Sequence, residues 1–195
     1  MDYLIWEKKN LLSDNICDVI IDRFEKDSNK IKGRIGSANH EGSTYDPTVK
    51  QSLDLHLINN PENWFDVQEV LNTKLQEGIQ EYFTHLSHLD FPAGFSKDQD
   101  IKDSGFQIQK TDPNGFYKWH NDFYLVDNYA RILTYIFYLN DVEEGGETEF
   151  ISGEKIKPEK GKLLIFPASW TYVHRGNSPI NTSKYICTGW MYFQY

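Results

Sequence analysis

Cysteine is scarce in this sequence. Two cysteines are present among 195 residues, Cys17 and Cys187, and they stand near opposite ends of the chain without the close spacing of a metal-binding motif. Each lies in an apolar periodic segment, where a buried thiol behaves as a small hydrophobic side chain. The sequence therefore excludes a disulfide-rich scaffold and predicts two reduced core thiols, as is usual in a reducing cytoplasm.

Long apolar runs and basic tracts are also missing. No window approaches the roughly 18 apolar residues of a membrane span, and the first ten residues, MDYLIWEKKN, lack the pattern of a signal peptide. The formal net charge is −9 with scattered lysines, so the phosphate-neutralising contribution to nucleic-acid binding is absent. We expect a cytoplasmic protein that binds neither nucleic acid nor a membrane.

The first half of the chain has helical periodicity. The 195 residues suit a single domain, 1–195, in which 1–100 supply helices and loops and 101–195 form a β-rich core. A helix is predicted over about 13–27 with Ser13 as its N-cap, and a long helix from Asn60 and Pro61 onward. Gly78 weakens the middle of the long helix and is a point at which it could divide. Between the helices, QSLDLHLI alternates as a half-buried strand does, with His56 on the polar face.

From residue 104 the helical period disappears and short β-rich runs separated by turns take over. Seven such runs in about 90 residues indicate a sandwich or a barrel. They are GFQIQK, PNGFYKWHNDFYL, ARILTYIFYLN, GETEFI, GKLLIFP, YVHRG and KYICTGWMYF.

The stretch YKWHND places His120 and Asp122 two residues apart. Six histidines and sixteen aspartates give roughly half of one His-x-Asp triplet by chance, and the chain has a second one at His88 and Asp90. Residues two apart on a strand share one face, whereas on a helix they project about 200° apart. The first triplet lies in an extended run and the second at a helix end, so the first is the candidate metal site.

His174, in the run YVHRG, is the candidate third ligand. A lone strand histidine is more often a hydrogen-bonded structural residue, but two histidines and a carboxylate form the facial triad of non-haem Fe(II) oxygenases. Ten residues further on lies Lys184, whose ammonium would suit the far end of a dicarboxylate that chelates the metal. The alternative for Lys184 is a solvated lysine at a strand end.

Four stretches together resemble the 2-oxoglutarate, Fe(II)-dependent dioxygenases, within them the prolyl 4-hydroxylase-like branch. They are FYKWHND, RILTYIFYLNDVEEGGETEF, KPEKGKLLIFP and VHRGNSPINTSKYICTGW. The resemblance implies a double-stranded β-helix, or jelly roll, with the N-terminal helices on the outer face of one sheet. It also implies Fe(II), 2-oxoglutarate and O2, with ascorbate as an accessory reductant, and decarboxylation of 2-oxoglutarate to succinate coupled to hydroxylation of a substrate C–H.

The resemblance also assigns roles to individual residues. His120, Asp122 and His174 would hold Fe(II), and Lys184 would bind the distal carboxylate of 2-oxoglutarate. The hydroxyl of Tyr138 would reach the same carboxylate, unless this tyrosine only packs in its strand.

Four further positions match the family pattern, and each has a structural alternative. Thr182 would add a hydrogen bond to the co-substrate, although a turn-capping role is as good an interpretation. Tyr117 matches a pocket tyrosine and Trp190 an aromatic residue near the iron, with core packing as the alternative for both. Arg131 matches a position that faces the substrate channel, and a surface salt bridge is its alternative.

One position departs from the family pattern. Many relatives have a tyrosine nine or ten residues before the first histidine, where it helps to bind the co-substrate, whereas this chain has Lys110 and Thr111 there. Gln107 or Gln109 is a candidate substitute. We expect only a structural role for Glu147 in GGETEF.

The substrate follows from the resemblance alone. A prolyl residue of a peptide or protein is the target that it implies, and loops 33–47 and 90–104 are expected to clamp such a chain. A free amino acid or another small molecule is the alternative substrate. Two hypotheses of a different class are a metal-binding jelly roll without activity and a cupin-like hydrolase or isomerase, neither of which needs Lys184. The sequence does not determine the oligomeric state.

Overall fold

The computed structural model describes residues 2–36, 42–89, 101–126 and 128–194. In these ranges helix α1 spans Asp14–Lys26, helix α2 spans Pro61–His88, and a 3₁₀ turn, Leu57–Asn59, precedes α2. The described strands are β1 (Trp6–Lys8), β2 (Ile31–Lys32), β3 (Ile35–Gly36), β4 (Ser43–Thr44), β5 (Leu53–His56), β6 (Ile101–Asp103), β7 (Gln107–Thr111), β8 (Tyr117–His120), β9 (Leu125–Val126), β10 (Tyr129–Tyr138), β11 (Thr148–Phe150), β12 (Lys155–Ile156), β13 (Leu163–Pro167), β14 (His174–Gly176) and β15 (Lys184–Gln194).

Both predicted helices are present. The Ser13 hydroxyl accepts a hydrogen bond from the Ile16 N–H at 3.4 Å, so it caps α1 as predicted. Pro61 occupies the first turn of α2, where its missing N–H costs no helical hydrogen bond. The suggestion that Gly78 could divide the long helix is wrong, because α2 runs without a break through that position.

Gly78 has a packing role instead. It lies on the buried face of α2, and a β-carbon added there would come 2.2 Å from Leu163 Cδ2. Leu163 opens β13 and is fully buried. The glycine therefore allows the helix to approach the sheet more closely than any other residue would.

The strands form two main sheets. The nine-stranded sheet has the order β1-β13-β10-β15-β7-β5-β2, with β6 added on β15 and β9 on β10. The four-stranded sheet has the order β12-β11-β14-β8, and β3 pairs with β4 as a separate hairpin. All seven predicted strands are present, and β1, β2 and β5 from the first half of the chain complete the larger sheet.

Strand β5 follows the predicted alternation with one surprise. Leu55 is buried among core residues, and His56 lies on the other face, beside Gln107 of the neighbouring strand. Asp54 shares the face of His56, yet it is completely buried. Leu57, predicted to be in the strand, lies in the 3₁₀ turn.

The core has two parts, separated by the nine-stranded sheet. Tyr135 and Phe137 of β10 belong to the cluster that contains the buried residues of α1 and α2. Ile136 and Tyr138, on the opposite face of β10, pack with Phe150 and other residues between the two sheets. The helices therefore cover the outer face of one sheet of a double-stranded β-helix, as predicted.

The two cysteines, Cys17 and Cys187, are both buried free thiols, as predicted. Within the described ranges, no helix has the length and apolarity needed to cross a membrane. Loops 33–47 and 90–104 fall partly outside the described residues, which leave out 37–41 and 90–100.

We predict that Gly78→Ala destabilises the protein. Alanine is intrinsically better than glycine in a helix by about 1 kcal/mol, but forcing a methyl group to 2.2 Å from Leu163 Cδ2 should cost about 2–3 kcal/mol of overpacking, a net loss of about 1–2 kcal/mol. Urea unfolding would measure the change in the free energy of unfolding. Gly36→Ala is the control, because a β-carbon there meets nothing within 4 Å. A Gly78→Ala protein as stable as the control would contradict the close approach of α2 and β13.

Candidate active site

The three predicted metal ligands come from two paired strands. His120 ends β8, Asp122 follows two residues later, and His174 opens β14. The strands β8 and β14 are antiparallel, with His174 directly opposite His120, and an irregularity in register follows before Gly176 pairs with Tyr117. Paired residues of neighbouring strands project to the same side, so both imidazoles point into the space between the sheets.

The ligand atoms of the three residues converge. His120 Nε2 lies 3.8 Å from Asp122 Oδ1, and His174 Nε2 lies 3.7 Å from Asp122 Oδ2. All three residues offer a ligand atom within 4.8 Å of the others, and no other group of three such residues is found in the described ranges. These separations suit one divalent ion about 2.0–2.2 Å from each ligand atom.

Backbone carbonyls orient both imidazole rings. His120 Nδ1 lies 2.8 Å from the Lys118 carbonyl oxygen, and His174 Nδ1 lies 3.0 Å from the Tyr172 carbonyl oxygen. A carbonyl oxygen only accepts hydrogen bonds, so each Nδ1 carries the proton and each Nε2 keeps its lone pair. This tautomer is the one that a metal ligated through Nε2 requires.

The protonation states also suit a metal. Burial lowers the pKa of His120, and the neighbouring His174 lowers it further. Burial raises the pKa of Asp122. This effect is outweighed by His174, His120 and the Thr134 hydroxyl, so the pKa lies below its usual value. The Thr134 hydroxyl donates a hydrogen bond to Asp122 Oδ2 at 2.8 Å. The site therefore offers a neutral His120 and an ionised Asp122, the forms that bind a cation.

Lys184 lies in the wall of the same cavity, at the start of β15. Its side chain is 95% buried, and Nζ donates to the Gly146 carbonyl at 2.9 Å. Among the described residues no carboxylate forms an ion pair with it. Burial lowers its pKa to about 8, an effect that the nearby Glu147 only partly offsets. The cavity thus contains a buried cation with spare hydrogen-bond donors.

The remaining candidates for co-substrate binding occupy different positions. Tyr117 lines the cavity, with its ring stacked on His120. Tyr138 is fully buried between the sheets and does not line the cavity. Its hydroxyl lies 2.7 Å from the hydroxyl of Thr148, which does line the cavity. Thr182 is exposed in a bend outside the cavity wall, so its position fits the turn role better than the co-substrate role.

Arg131 lies against a residue of the cavity wall, so its predicted position at the substrate channel stays a prediction. Its guanidinium carbon lies 3.8 Å from the centre of the Trp190 ring, and its Nε donates to the Tyr192 hydroxyl at 2.8 Å. It forms no ion pair with any residue that the structure describes, so no contact within the described ranges supports the surface salt bridge. Trp190 itself lines the cavity, and its buried Nε1 has no hydrogen-bond partner in the described part of the chain.

The segment that lacks the family tyrosine contributes alternate residues to the cavity. Gln109 and Thr111 of β7 line it, whereas Lys110 faces the opposite side and pairs with Glu25 of α1 at 3.0 Å. Gln107 is buried next to the cavity and accepts a hydrogen bond from Gln109 Nε2 at 3.1 Å. Gln109 is therefore the better placed of the two candidate substitutes.

Sequence reasoning missed several cavity residues. Lys50, Ser52, Thr134 and Thr148 all line the cavity, and none belongs to a motif that distinguishes it from an ordinary strand residue. The alternation of QSLDLHLI does place Ser52 on the same face as His56, but it gives no sign that this face is enclosed.

The second His-x-Asp triplet contributes nothing to this site. His88 is exposed in the last turn of α2 and is not part of the converging group, while Asp90 lies outside the described residues.

Comparison with known proteins agrees with this geometry. Residues 106–192 match the family model described as the 2OG-Fe(II) oxygenase superfamily. Prolyl 4-hydroxylase 1 of Arabidopsis thaliana is 24% identical over an alignment 228 positions long, which covers 88% of this chain and 78% of the plant protein.

Two solved structures share the fold. The viral collagen prolyl hydroxylase of Paramecium Bursaria Chlorella virus-1, in complex with 2OG, superposes with a TM-score of 0.69 at 22% identity, covering 97% of this chain and 96% of its own. The Trichoplax adhaerens prolyl hydroxylase, in complex with a hypoxia inducible factor peptide fragment, has a TM-score of 0.71 at 15% identity, with 98% and 84% covered.

We predict that His120→Ala, Asp122→Ala and His174→Ala each weaken the binding of a divalent metal by more than about 100-fold. Loss of an outer hydrogen-bond partner alone typically costs 10- to 100-fold, and a direct ligand should cost more. Calorimetric titration with Co(II) would measure the affinity, and His88→Ala is the matched histidine control. A His174→Ala protein that binds Co(II) as tightly as the control would contradict the three-residue site.

Proposed function

We propose that this chain is a member of the 2OG-Fe(II) oxygenase superfamily that hydroxylates a prolyl residue of a peptide or protein. The enzyme class couples oxidative decarboxylation of 2-oxoglutarate to hydroxylation of a substrate C–H, and it requires Fe(II), 2-oxoglutarate and O2. We further propose that residues 1–195 act as one domain, since β1, β2 and β5 complete the sheet that carries Lys184.

His120, Asp122 and His174 are the proposed iron ligands. The free Nε2 atoms, the ionised carboxylate and the separations of 3.7 and 3.8 Å support this assignment. When bound there, Fe(II) supplies the activation of O2, because three protein ligands leave coordination positions open. Thr134 holds the Asp122 carboxylate in place through its hydrogen bond.

Lys184 is the observation that carries the choice of co-substrate. A buried ammonium without a carboxylate partner among the described residues is energetically unfavourable, so a ligand that brings an anion should stabilise it. Lys184 and the three ligands line the same cavity. A dicarboxylate can therefore bridge the metal and the lysine, as 2-oxoglutarate would, and neither a metal-binding protein without activity nor a cupin-like hydrolase needs this lysine.

A groove beside the cavity supports a polypeptide substrate. Its wall shares Tyr117 and Arg175 with the cavity and continues through Lys118 and Trp119. The Trp119 ring is 42% exposed, and the Arg175 guanidinium lies 4.6 Å from its centre. Exposed aromatic rings in a groove are typical of surfaces that bind proline-rich chains. We propose that residues flanking the target proline lie here, as the similarity to prolyl hydroxylases also suggests.

We predict that Lys184→Ala raises the dissociation constant for 2-oxoglutarate by tenfold or more and leaves the affinity for Co(II) nearly unchanged. The variant loses a charge-assisted hydrogen bond worth about 1.5–3 kcal/mol. Because the pKa of Lys184 is about 8, the affinity of the unaltered protein for 2-oxoglutarate should fall as the pH rises from 7 to about 9. Calorimetry in this pH range would measure both effects.

The exposed Lys157→Ala serves as the control for this prediction and should retain the affinity of the unaltered protein together with its pH dependence. The Lys184→Ala affinity should be flat across the same range. Equal losses of 2-oxoglutarate and Co(II) affinity in Lys184→Ala would contradict the proposed role.

We predict that proline-containing peptides gain about 16 Da on proline, the mass of one inserted oxygen atom, when incubated with the enzyme, Fe(II), 2-oxoglutarate and ascorbate. Mass spectrometry with fragmentation would locate the gain, and the Asp122→Ala protein is the control. Hydroxylation of a free amino acid, with succinate released but no peptide modified, would move the assignment to a small-molecule hydroxylase.

A further inference from the structure

A buried ion pair lies at the edge of the cavity. Lys50 Nζ donates to Asp54 Oδ2 at 2.7 Å, and the two side chains are only 4% and 1% exposed. Asp54 also accepts hydrogen bonds from the Ser52 hydroxyl at 2.7 Å and from Gln107 Nε2 at 2.9 Å. Three donors thus fix the carboxylate, and the carboxylate fixes the ammonium.

The segment that carries Lys50 runs beside β8. The Gln51 N–H donates to the Phe116 carbonyl at 2.8 Å, and the Lys118 N–H donates to the Val49 carbonyl at 2.9 Å. An isolated antiparallel β-bridge pairs the backbones of Lys50 and Tyr117. The side chain of Lys50 therefore enters the cavity next to the strand that ends in His120.

A chain of ring contacts connects Lys50 to His120. Lys50 Nζ lies 5.2 Å from the centre of the Tyr117 ring, within the range of a cation–π interaction. The imidazole of His120 stacks on the same tyrosine ring, with the ring centres 3.6 Å apart and the planes inclined by 14°. We infer that Lys50 is a positioning residue, whose ammonium, held by Asp54, fixes the Tyr117 ring and through it the orientation of the His120 imidazole for the metal.

This inference rests on the proposed role of His120 as a metal ligand. Apart from its contacts with the other two proposed ligands, two restraints in the described structure hold that imidazole, the hydrogen bond from Nδ1 to the Lys118 carbonyl and the stacking on Tyr117. Desolvation of a buried ion pair commonly offsets its attraction, so replacement of both charges need not unfold the protein. Loss of the second restraint should weaken the metal site by about tenfold, the lower end of the effect of outer partners.

The chain contains a matched control for this arrangement. Lys110 Nζ lies 3.0 Å from Glu25 and 5.6 Å from the centre of the Tyr185 ring, so it too is a lysine held by a carboxylate beside a tyrosine. This group faces α1 rather than the cavity. Lys110→Met with Glu25→Gln removes one charge of each sign, as does Lys50→Met with Asp54→Asn.

The test is a titration of the full chain with Co(II) alone, followed by visible absorption and calorimetry. The Lys50→Met, Asp54→Asn protein should bind Co(II) about tenfold more weakly than the unaltered protein, with a changed absorption spectrum. The Lys110→Met, Glu25→Gln protein should bind Co(II) with unaltered affinity and spectrum. Thermal unfolding without metal would verify that the cavity variant is folded. Unaltered Co(II) affinity in the folded Lys50→Met, Asp54→Asn protein would overturn the inference.

Substitutions of Tyr117 test the route independently, including the case in which the double variant fails to fold. Tyr117→Leu removes the ring and should also weaken Co(II) binding about tenfold, whereas Tyr117→Phe keeps the ring and should stay within about threefold of the unaltered protein, since outer partners act through contacts that Phe retains. In the Tyr117→Leu protein, Lys50→Met with Asp54→Asn should cause almost no further loss of Co(II) affinity, because the ring through which they act is already absent.

The route through the ring would be overturned if Lys50→Met with Asp54→Asn weakened Co(II) binding by the full tenfold both in the unaltered protein and in the Tyr117→Leu protein. Unaltered Co(II) binding by the Tyr117→Leu protein would also overturn it. Failure of the proposed function would look different. The unaltered protein would then bind no Co(II), or would bind it equally well after His120→Ala.

Discussion

The strands β8 and β14 pair so that His120 and His174 lie directly opposite each other. This register brings two imidazoles, far apart in the chain, onto one face of the smaller sheet. Asp122 comes only two residues after His120, and its carboxylate lies beside both imidazoles. The carbonyls of Lys118 and Tyr172, in or just before the same two strands, fix both ring tautomers. A shift of one residue in this register would turn one histidine away from the cavity and abolish the site.

Two buried lysines in the same cavity show how partners decide the properties of a charge. Lys50 has a fixed carboxylate partner in Asp54, and its ammonium lies beside an aromatic ring. Among the described residues, Lys184 Nζ donates a hydrogen bond only to the carbonyl of Gly146, and burial lowers its pKa to about 8. The first is suited to hold structure, since its charge is already compensated. The second is suited to bind an anion, since a ligand would provide the missing compensation.

The elements of the fold were largely predictable because local signals specify them. The cap at Ser13 and the proline at the start of α2 mark helix ends, and short β-rich runs separated by turns mark the seven strands of the second half. Gly78 was misinterpreted because its local effect is to weaken a helix, whereas its actual contact is with Leu163 on a distant strand. The stacking of Arg131 on Trp190 was not predictable for the same reason, since it depends on the pairing of two strands.

The sequence by itself determined which residues form the candidate metal site, because His120, Asp122 and His174 are residue types that can form a facial triad, and the structure brings their ligand atoms together. It also predicted Lys184 as the cation for a dicarboxylate, and the structure places this lysine in the wall of the same cavity. Only the tertiary structure decided which other groups surround these residues, among them the buried Lys50. Periodicity reports which face of a strand a residue occupies, but the partner on that face depends on strand register and sheet order. These are fixed by long-range packing, which no local pattern encodes.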